Sequence, residues 1–467
     1  MLWLDLDRRS SVSLTQQLYE QLGARILAGE LKAGERLPSS RALADELGIA
    51  RNVAVEVFEQ LQAEGYLESR SGSGTFVAAL ELPASPPRRS PSPKPPAPLP
   101  GAPQAGTIFF RCGVPDLAAF PRARWLRAER QVGFHSPADV WSYNEVGGLQ
   151  ALREEIATYL GRTKSIRCSA EQVVMTQSST SGILLLGLFF RARRAGALIE
   201  DPVISFVPRI LQQCGLRVHP VRADAEGLVV EALPRRPRGD FVFVSPSHQF
   251  PLGGTLPIAR RLALLDYARR HDLFVVEDDY DSEFRFTGAP VSSLCRLDPA
   301  RVIHLGTFSK SLAPAMRLGY LVLPPALAPE MLAMLRPMSL AGSRVTQAVV
   351  ARLMQSGHFQ RHITRMKRVY ARKMKTLCAA LRKHFGDDVT ITGNTTGLHL
   401  VARFRGVAVT PALRKRCAEA GVRFDMVGDY ALAPGKHGDV VLLGFGNLSL
   451  EQIEEGVRRL ASVLRAA

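Results

Sequence analysis

The feature that most constrains this chain is a proline-rich stretch at positions 83–103, where ten of twenty-one residues are proline. Such a stretch cannot build a core, and it favours an extended, polyproline-like backbone of about 3.1 Å per residue, roughly 60 Å at full reach. Hydrophobic periodicity stops there and resumes afterwards. The sequence therefore predicts two independently folded units, residues 1–82 and 106–467, joined by a linker at 83–105.

Composition and the N-terminal sequence exclude several classes of protein. No apolar run approaches the roughly 18 to 20 residues that a membrane span needs, and MLWLDLDRRS has two acids before its first base, unlike a secretion signal. The six cysteines lie far apart, without a CxxC pair or a His/Cys spacing suited to zinc. We expect a cytoplasmic protein with reduced cysteines, no membrane contact and no metal site.

The net charge of +17 suggests a polyanionic partner. Residues 1–82, however, contain eight Lys and Arg against twelve Asp and Glu, so this unit carries a net charge of −4. The positive excess lies in the linker and the second unit. DNA binding by the first unit must therefore depend on individually placed residues.

The first unit has the element order of a winged helix-turn-helix. Apolar residues recur at helical spacing from Leu14 to Ile26, which predicts a first helix ending near Gly29. RALADELG follows LPSS, in which Ser39 or Ser40 can cap a short second helix, and Gly48 ends it. A third helix is predicted over 51–64, and YLESRSGSGTFVA reads as two strands around a Gly/Ser turn.

In this arrangement the N-terminus of the third helix enters the major groove, and the wing follows the neighbouring backbone. Arg51 and Asn52 stand at that N-terminus, where arginine can pair with guanine and asparagine with adenine. Arg41 begins the second helix, and residues 71–75 form the tip of the wing. The alternative is an ordinary helical subdomain whose Arg and Asn side chains are simply solvated.

The run AGERLPSSRALADELGIARNVAVEVFEQLQAEGYLESRSGSGTFV resembles the winged-helix domain of the GntR group of regulators. This resemblance implies that Arg41, Arg51 and Asn52 contact bases, while Ser40 and Gly74 lie near the DNA backbone. The family often has Ser or Thr where this chain has Ala50, so one contact is expected to be absent.

In the second unit, helical stretches alternate with short apolar runs, which predicts an α/β fold with a mostly parallel sheet. These runs are QVVMT, GALIE, FVFVS, LFVVED and RVIHLGTFS. The last hundred or so residues, from MKRVYARKMKTLCAALRKHF onward, predict a smaller α+β subdomain.

Three segments at strand ends fit a pyridoxal phosphate (PLP) site, which needs a lysine for the Schiff base, an acid for the pyridine nitrogen and a phosphate cup. Lys310 follows one strand, and Arg317 beyond it can clamp a phosphate. Asp278 and Tyr280 end another strand, where they suit the pyridinium and the phenolic oxygen.

The third segment, VVMTQSSTSGILLLGLFF, runs from a strand into a helix, so the backbone N–H groups of Ser179 and Thr180 are placed to bind phosphate. A lone lysine after a strand is usually an ordinary surface residue. Three such segments, each at a strand end and in sequence order, strongly favour the prediction of a PLP site.

Together the segments resemble the fold-type-I aminotransferase family over about residues 106–467. The combination of such a domain with a winged helix resembles the MocR-type, GabR-like regulators. The motifs EDDYDSEF, GTFSKSL and PSHQFPLG are also similar to those of that group. The resemblance implies PLP held by Lys310, Asp278 and Tyr280, with phosphate bound by Arg317, Ser179, Thr180 and Ser309. It also implies a homodimer on operator DNA.

Three departures from the aminotransferase pattern bear on activity. Phe250 replaces the asparagine that contacts the phenolic oxygen, with His248 nearby as a possible substitute; Ile204 replaces the aromatic that stacks on the ring. Leu442 replaces the arginine that binds the substrate carboxylate, and a carboxylate buried without an ionic partner is strongly disfavoured. Arg209 or Arg403 could substitute, although solvated surface charge is the simpler reading of both.

The sequence leaves three functions open. The first is a regulator in which PLP, or its adduct with a small amine, modulates DNA binding, without efficient transamination and with no catalytic residue assigned. The alternatives are an active aminotransferase with an appended DNA-binding domain, and a DNA-binding protein whose second unit is only a dimerisation scaffold.

Overall fold

The computed structural model describes residues 4–80, 106–143, 145–288, 291–338, 340–433 and 439–465. Its two compact units are Met1–Gly101 and Ala102–Ala467. The linker assigned to 83–105 lies outside the described residues. Its extended conformation and the domain boundaries at its two ends therefore stay predictions.

The first unit contains three helices followed by a two-stranded antiparallel ribbon in which Leu67 pairs with Val77. Its elements are α1 (Leu14–Leu27), α2 (Ser40–Leu47), α3 (Arg51–Ala63), β1 (Leu67–Arg70) and β2 (Gly74–Val77). This order is that of a winged helix-turn-helix. The predicted helix ends lie within two residues of the observed ones.

Local signals set these boundaries. The Ser39 hydroxyl accepts a hydrogen bond from the backbone N–H of Ala42, so Ser39 and not Ser40 caps α2. Gly48 ends that helix with φ +62°, a conformation that glycine adopts without a steric penalty. Leu18, Leu22 and Ile26 are buried along one face of α1, as their spacing predicts.

The second unit combines a large α/β part with a smaller α+β part. Its helices are α4 (Arg122–His135), α5 (Gln150–Lys164), α6 (Ser179–Arg191), α7 (Phe206–Gln213), α8 (Ile258–Arg270), α9 (Leu294–Leu297), α10 (Ala328–Leu335), α11 (Arg344–Gln355), α12 (His358–Phe385), α13 (Pro411–Glu419) and α14 (Leu450–Arg465). Its strands are β3 (Ile108–Phe110), β4 (Val173–Thr176), β5 (Gly196–Asp201), β6 (Arg217–Asp224), β7 (Gly227–Leu228), β8 (Phe241–Val244), β9 (Phe274–Asp279), β10 (Val302–Thr307), β11 (Gly319–Val322), β12 (Val389–Thr392), β13 (His399–Phe404), β14 (Val422–Met426) and β15 (Val440–Gly444).

The large sheet has the strand order β4-β11-β10-β9-β8-β5-β6-β7. The five strands from β10 to β6 are parallel, which confirms the predicted α/β architecture. Strand β11 is antiparallel to both β10 and β4. The chain between Thr307 and Gly319 forms only one short 3-10 turn and no crossover helix, and without a crossover a strand returns antiparallel.

Both faces of this sheet are covered. Along β5, Leu198 packs into one apolar cluster, while Ala197 and Ile199 pack into another on the opposite face. Burial on both faces explains the continuous apolar runs in the sequence. Among the described helices, none is long and apolar enough to cross a membrane.

The smaller sheet has the order β12-β13-β15-β14-β3, and the 28-residue helix α12 packs beside it. From the sequence, this subdomain is expected to comprise about the last hundred residues. Strand β3, at the start of the unit, completes the sheet by pairing parallel to β14. Three apolar residues, IFF, carry too little periodicity to predict that partner.

Candidate functional site

A cavity of about 220 Å³ opens at the carboxyl ends of the parallel strands of the second unit. Ligands in open α/β sheets usually bind at this edge. All the residues predicted to hold the cofactor line this one cavity: Ser179, Thr180, Asp278, Tyr280, Ser309, Lys310 and Arg317. The sequence therefore predicted residues that the fold does bring together, although their roles are not set by position alone.

Lys310 lies three residues beyond the end of β10, and its Nζ donates a hydrogen bond to the backbone carbonyl of Gly113. Burial lowers the pKa of Lys310, an effect that the carboxylates of Asp281 and Asp278 oppose. A lower pKa increases the fraction of uncharged amine, which is the form that attacks an aldehyde.

Asp278 lies on β9 and points its carboxyl into the same cavity. Burial raises the pKa of Asp278 to about 7, and repulsion from Asp279 and Asp281 adds to this effect, while Lys310 opposes it. A cationic ring nitrogen beside this carboxyl would stabilise its charged form. The site thus has an acid that a protonated pyridine can pair with.

The N-terminus of α6 forms the opposite wall. Ser178 caps this helix by accepting a hydrogen bond from the N–H of Ser181, and Ser179 and Thr180 follow in the first turn. The first-turn N–H groups of a helix attract anions. A Cβ at Gly319 would lie 2.9 Å from the carbonyl carbon of Ser178, so glycine is what allows β11 to approach this turn.

Two further residues flank that turn. Arg317 adopts φ +47°, a left-handed conformation that costs a non-glycine residue roughly 1 to 2 kcal/mol. Ser309 lies beside Thr307, whose Oγ1 is 3.0 Å from the Ser309 hydroxyl. A guanidinium, two hydroxyls and a helix N-terminus make a suitable cup for a phosphate group.

The sequence indicated His248 but not the buried polar cluster that His248 forms with Tyr280, Asp281 and His399. The Tyr280 hydroxyl donates to the carbonyl of His248 at 2.9 Å, and the Nδ1 of His248 lies 3.0 Å from the Asp281 carboxylate. His399 stacks on His248 with ring centroids 4.4 Å apart. His399 and Asp281 line the cavity, whereas His248 contacts it through Tyr280. An imidazole in the apolar strand sequence GLHL was the available signal.

The remaining wall is apolar. Ile204 and Phe250 line the cavity, and Leu442 is fully buried in a cluster with Phe250. Of the described lysines and arginines, Lys310 and Arg317 line this cavity. Arg209 is exposed on α7, and Arg403 lies 3.5 Å from Asp439. Neither arginine lines the cavity.

The first unit places its predicted DNA contacts on its surface. Arg41, Arg51 and Asn52 are exposed, and Ser40 is half-buried in the first turn of α2. At the wing, Gly74 adopts φ +113°, and a Cβ there would lie 3.0 Å from the Arg36 Nε. Ala50, the N-cap residue of helix α3, makes no side-chain hydrogen bond to the helix. The surface of this unit is therefore suited to groove binding.

Comparison with known proteins identifies a family for each of the two units. The model for bacterial regulatory proteins of the gntR family matches residues 14–77, and that for aminotransferase class I and II matches residues 112–427. MocR of Rhizobium meliloti, a rhizopine catabolism regulatory protein, is 35% identical over 99% of this chain and 96% of its own length. PdxR of Corynebacterium glutamicum, a pyridoxine biosynthesis transcriptional regulator, is 34% identical over 78% of both chains.

Among solved structures, LysN from Thermus thermophilus, an α-aminoadipate aminotransferase complexed with N-(5'-phosphopyridoxyl)-L-leucine, is 28% identical. It superposes with a TM-score of 0.70 over 78% of this chain and 93% of that chain. The chain therefore belongs to the MocR-type transcription regulators, in which a GntR-family DNA-binding domain precedes a domain of the aminotransferase class I and II family.

Proposed function

We propose that this chain is a PLP-dependent transcription regulator in which PLP, or its adduct with a small amine, changes the affinity for operator DNA. The observation that carries the proposal is the convergence of Lys310, Asp278 and Arg317 on one cavity in a chain that also has a GntR domain. Such coupling requires the ligand to bind two arrangements of the protein with different affinity. The proposed location is the cytoplasm, where operator DNA lies.

Each cavity residue has a proposed role toward PLP. Lys310 attaches to the aldehyde, Asp278 pairs with the pyridine nitrogen, and Tyr280 binds the phenolic oxygen. Ser179, Thr180, Ser309 and Arg317 hold the phosphate. The bound group supplies an electrophilic carbon to an incoming amine; the protein residues orient it, and its cationic ring nitrogen would hold the Asp278 carboxyl in the charged form.

On the first unit, Arg51 and Asn52 are proposed to read base edges in the major groove, and Arg41 to contact a base or a phosphate. Ser40 and Gly74 approach the DNA backbone. The domain arrangement proposed with these roles is a reader at 1–82, a spacer at 83–105 and an effector domain at 106–467.

We propose that the effector domain lacks efficient transaminase activity toward amino acids. Ile204 and Phe250 on the cavity wall, and Leu442 buried in the same apolar cluster, offer a carboxylate neither an ion pair nor a hydrogen-bond donor. The alternative, an active aminotransferase with an appended DNA-binding domain, is favoured by the likeness to LysN. Turnover measured with a panel of amino donors distinguishes the two.

The regulator is proposed to act as a homodimer. Large hydrophobic side chains are exposed along residues 126–143: Leu126 at 55%, Phe134 at 83%, Trp141 at 60% and Tyr143 at 93%. Exposed clusters of this kind usually mark association surfaces, and most oligomers are symmetric dimers. Phe134→Asp is expected to shift the protein toward monomer in sedimentation analysis.

The main experiment titrates purified protein with PLP and then with candidate amines, while absorbance and DNA binding are followed together. Covalent attachment is checked by borohydride reduction and mass spectrometry. Lys310→Ala is expected to abolish attachment and to leave the fold intact, whereas Lys375→Ala, on an exposed position of α12, retains attachment. Attachment to Lys310→Ala protein, or DNA binding that is indifferent to PLP, would contradict the proposal.

A further inference from the structure

A second cavity, of about 390 Å³, lies in the same unit and shares no lining residue with the first. One wall is α5, which contributes Tyr159 and Lys164. The segment after β9 contributes Glu283 and Arg285, and α12 contributes Lys367. Small-molecule sites typically have volumes of about 300 to 1,000 Å³, so this cavity is large enough for a metabolite.

Arg285 is the unusual residue of this cavity. It is half-buried, and its Nε is buried without a hydrogen-bond partner within the described part of the chain. Its guanidinium forms no ion pair with any described carboxylate. A buried N–H of a charged group that lacks a partner is costly, and native proteins rarely leave one unsatisfied. This side chain is therefore prepared for an acceptor that the described residues around it do not supply.

The other charged side chains of the cavity are paired, apart from the exposed Lys367. The ammonium of Lys164 contacts the carboxylate of Asp279 and lies 3.3 Å from that of Glu283. The Tyr159 hydroxyl also donates to Glu283, at 3.4 Å. Lys367 is exposed and forms no ion pair with a described residue. Because Lys164, Arg285 and Lys367 face only the two carboxylates of Asp279 and Glu283, the charge around the cavity is positive by one.

We propose that this cavity is a second ligand site that binds the oxyanion group, phosphate or carboxylate, of a small anionic metabolite. Arg285 is the anchor, because a planar guanidinium forms strong paired hydrogen bonds with oxyanions. Lys367 adds attraction at the entrance. A cationic ligand would leave Arg285 uncompensated.

The site is next to the cofactor pocket without overlapping it. Ser247 and Ser282 line this cavity, and they adjoin His248 and Asp281, the hydrogen-bonded pair behind the pocket. Loading the protein with PLP and removing the unbound excess therefore fills the first phosphate site and leaves the second cavity free. This separation allows the two sites to be measured independently, although the second is of regulatory interest only in the proposed regulator.

The test titrates full-length, PLP-saturated protein with inorganic phosphate, and in a parallel arm with succinate, at constant ionic strength in a calorimeter. We expect wild-type protein to bind at least one of the anions in the millimolar range, and the tighter probe assigns the group. Arg285→Gln should weaken binding by at least about tenfold. Lys367→Gln should weaken it by less, and Lys375→Gln, an exposed charge on the same helix outside the cavity, should leave it unchanged.

Absence of anion binding to wild-type protein, or equal affinity in Arg285→Gln, would overturn the proposal. If Arg285→Gln fails to fold, the comparison of Lys367→Gln with Lys375→Gln decides. If the chain takes up no PLP, the same titration is carried out on Arg317→Gln, which removes the proposed first phosphate site. Failure of the cofactor proposal is then distinguishable from failure of this one.

Discussion

The DNA-binding unit and the cofactor pocket obtain their functional residues in opposite ways. Residues from Ser40 to Gly74 lie on neighbouring elements of one small domain, and Arg41, Arg51 and Asn52 project from its surface. The pocket residues come from Ser179 to Arg317 and meet only because five strands pair in parallel. Local sequence is enough to position the first set, whereas the second depends on the whole sheet.

The two regions also differ in how far their polar and charged side chains are exposed to solvent. The side chains proposed to contact DNA, Arg41, Arg51 and Asn52, are exposed to solvent. In the pocket, burial moves the pKa of Asp278 to about 7 and lowers that of Lys310. A small change of packing should therefore disturb the pocket and leave the reader intact.

Gly319→Ala is the sharpest test of that difference. The added Cβ would lie 2.9 Å from the Ser178 carbonyl carbon and 3.0 Å from the Ser179 nitrogen, so the start of α6 must move. We expect a loss of about 1 to 3 kcal/mol in the stability of the second unit, with weaker PLP binding. Calorimetry and PLP titration measure both effects.

Gly161→Ala is the matched control, since a Cβ at this exposed position of α5 would meet only the carbonyl oxygen of Ile166, at an ordinary contact distance of 3.7 Å. That substitution should be neutral or slightly stabilising. The proposed phosphate cup would be wrong if Gly319→Ala bound PLP as tightly as wild-type protein.

Arg51→Ala tests the opposite side of the comparison. An arginine that pairs with guanine contributes roughly 1 to 3 kcal/mol of discrimination, so specific DNA affinity should fall at least about fivefold. PLP attachment should not change. Arg9→Ala, an exposed arginine before α1, serves as the charge control in the same gel-shift assay, and an equal loss there would indicate that only net charge matters.

Asp278→Asn separates stability from cofactor binding. Folding raises the pKa of Asp278 from 3.8 to about 7, so the folded protein holds a proton that the unfolded chain releases between these pH values. The stability contributed by this group is therefore present below about pH 4, decreases up to about pH 7 and stays constant above it.

An uncharged asparagine removes this decrease. Cofactor-free Asp278→Asn protein should gain roughly 4 kcal/mol at pH 8 relative to wild type and nothing near pH 4, while PLP binds it more weakly. Urea unfolding at both pH values checks the sign, with the exposed Asp266→Asn as the control. A gain that is the same at both pH values would refute the role assigned to burial.

The same contrast explains how far sequence reasoning reached. Helix ends at Gly48 and the alternation of strands and helices follow from local periodicity and capping, and both were predicted. The direction of β11 and the pairing of β3 with β14 were not predicted, because strand partners are set by long-range packing. The pocket residues were predicted by their strand-end positions and by the family resemblance. His248 was named as a possible substitute, while His399, which stacks on it across the fold, was missed.

The smallest expected effect concerns a single capping position, where neighbouring residues alone set the structure. Ala50 is the N-cap residue that precedes α3, and its φ of −67° and ψ of 138° suit that position. Alanine, however, has no side-chain acceptor for the free N–H groups at the start of the helix. Serine there should accept one of these hydrogen bonds. Ala50→Ser is therefore expected to stabilise the first unit by about 0.5 to 1 kcal/mol.

The measurement is the thermal transition of the first unit within the full chain, identified as the one that PLP does not shift. Ala63→Ser makes the same chemical change at the last residue of α3, where a hydroxyl cannot cap the helix start, and should be neutral or slightly destabilising. If the two variants behaved alike, hydroxyl chemistry in general and not the cap would be responsible. A gain confined to Ala50→Ser would show that the start of the recognition helix is under local control, which no single residue of the cofactor pocket is.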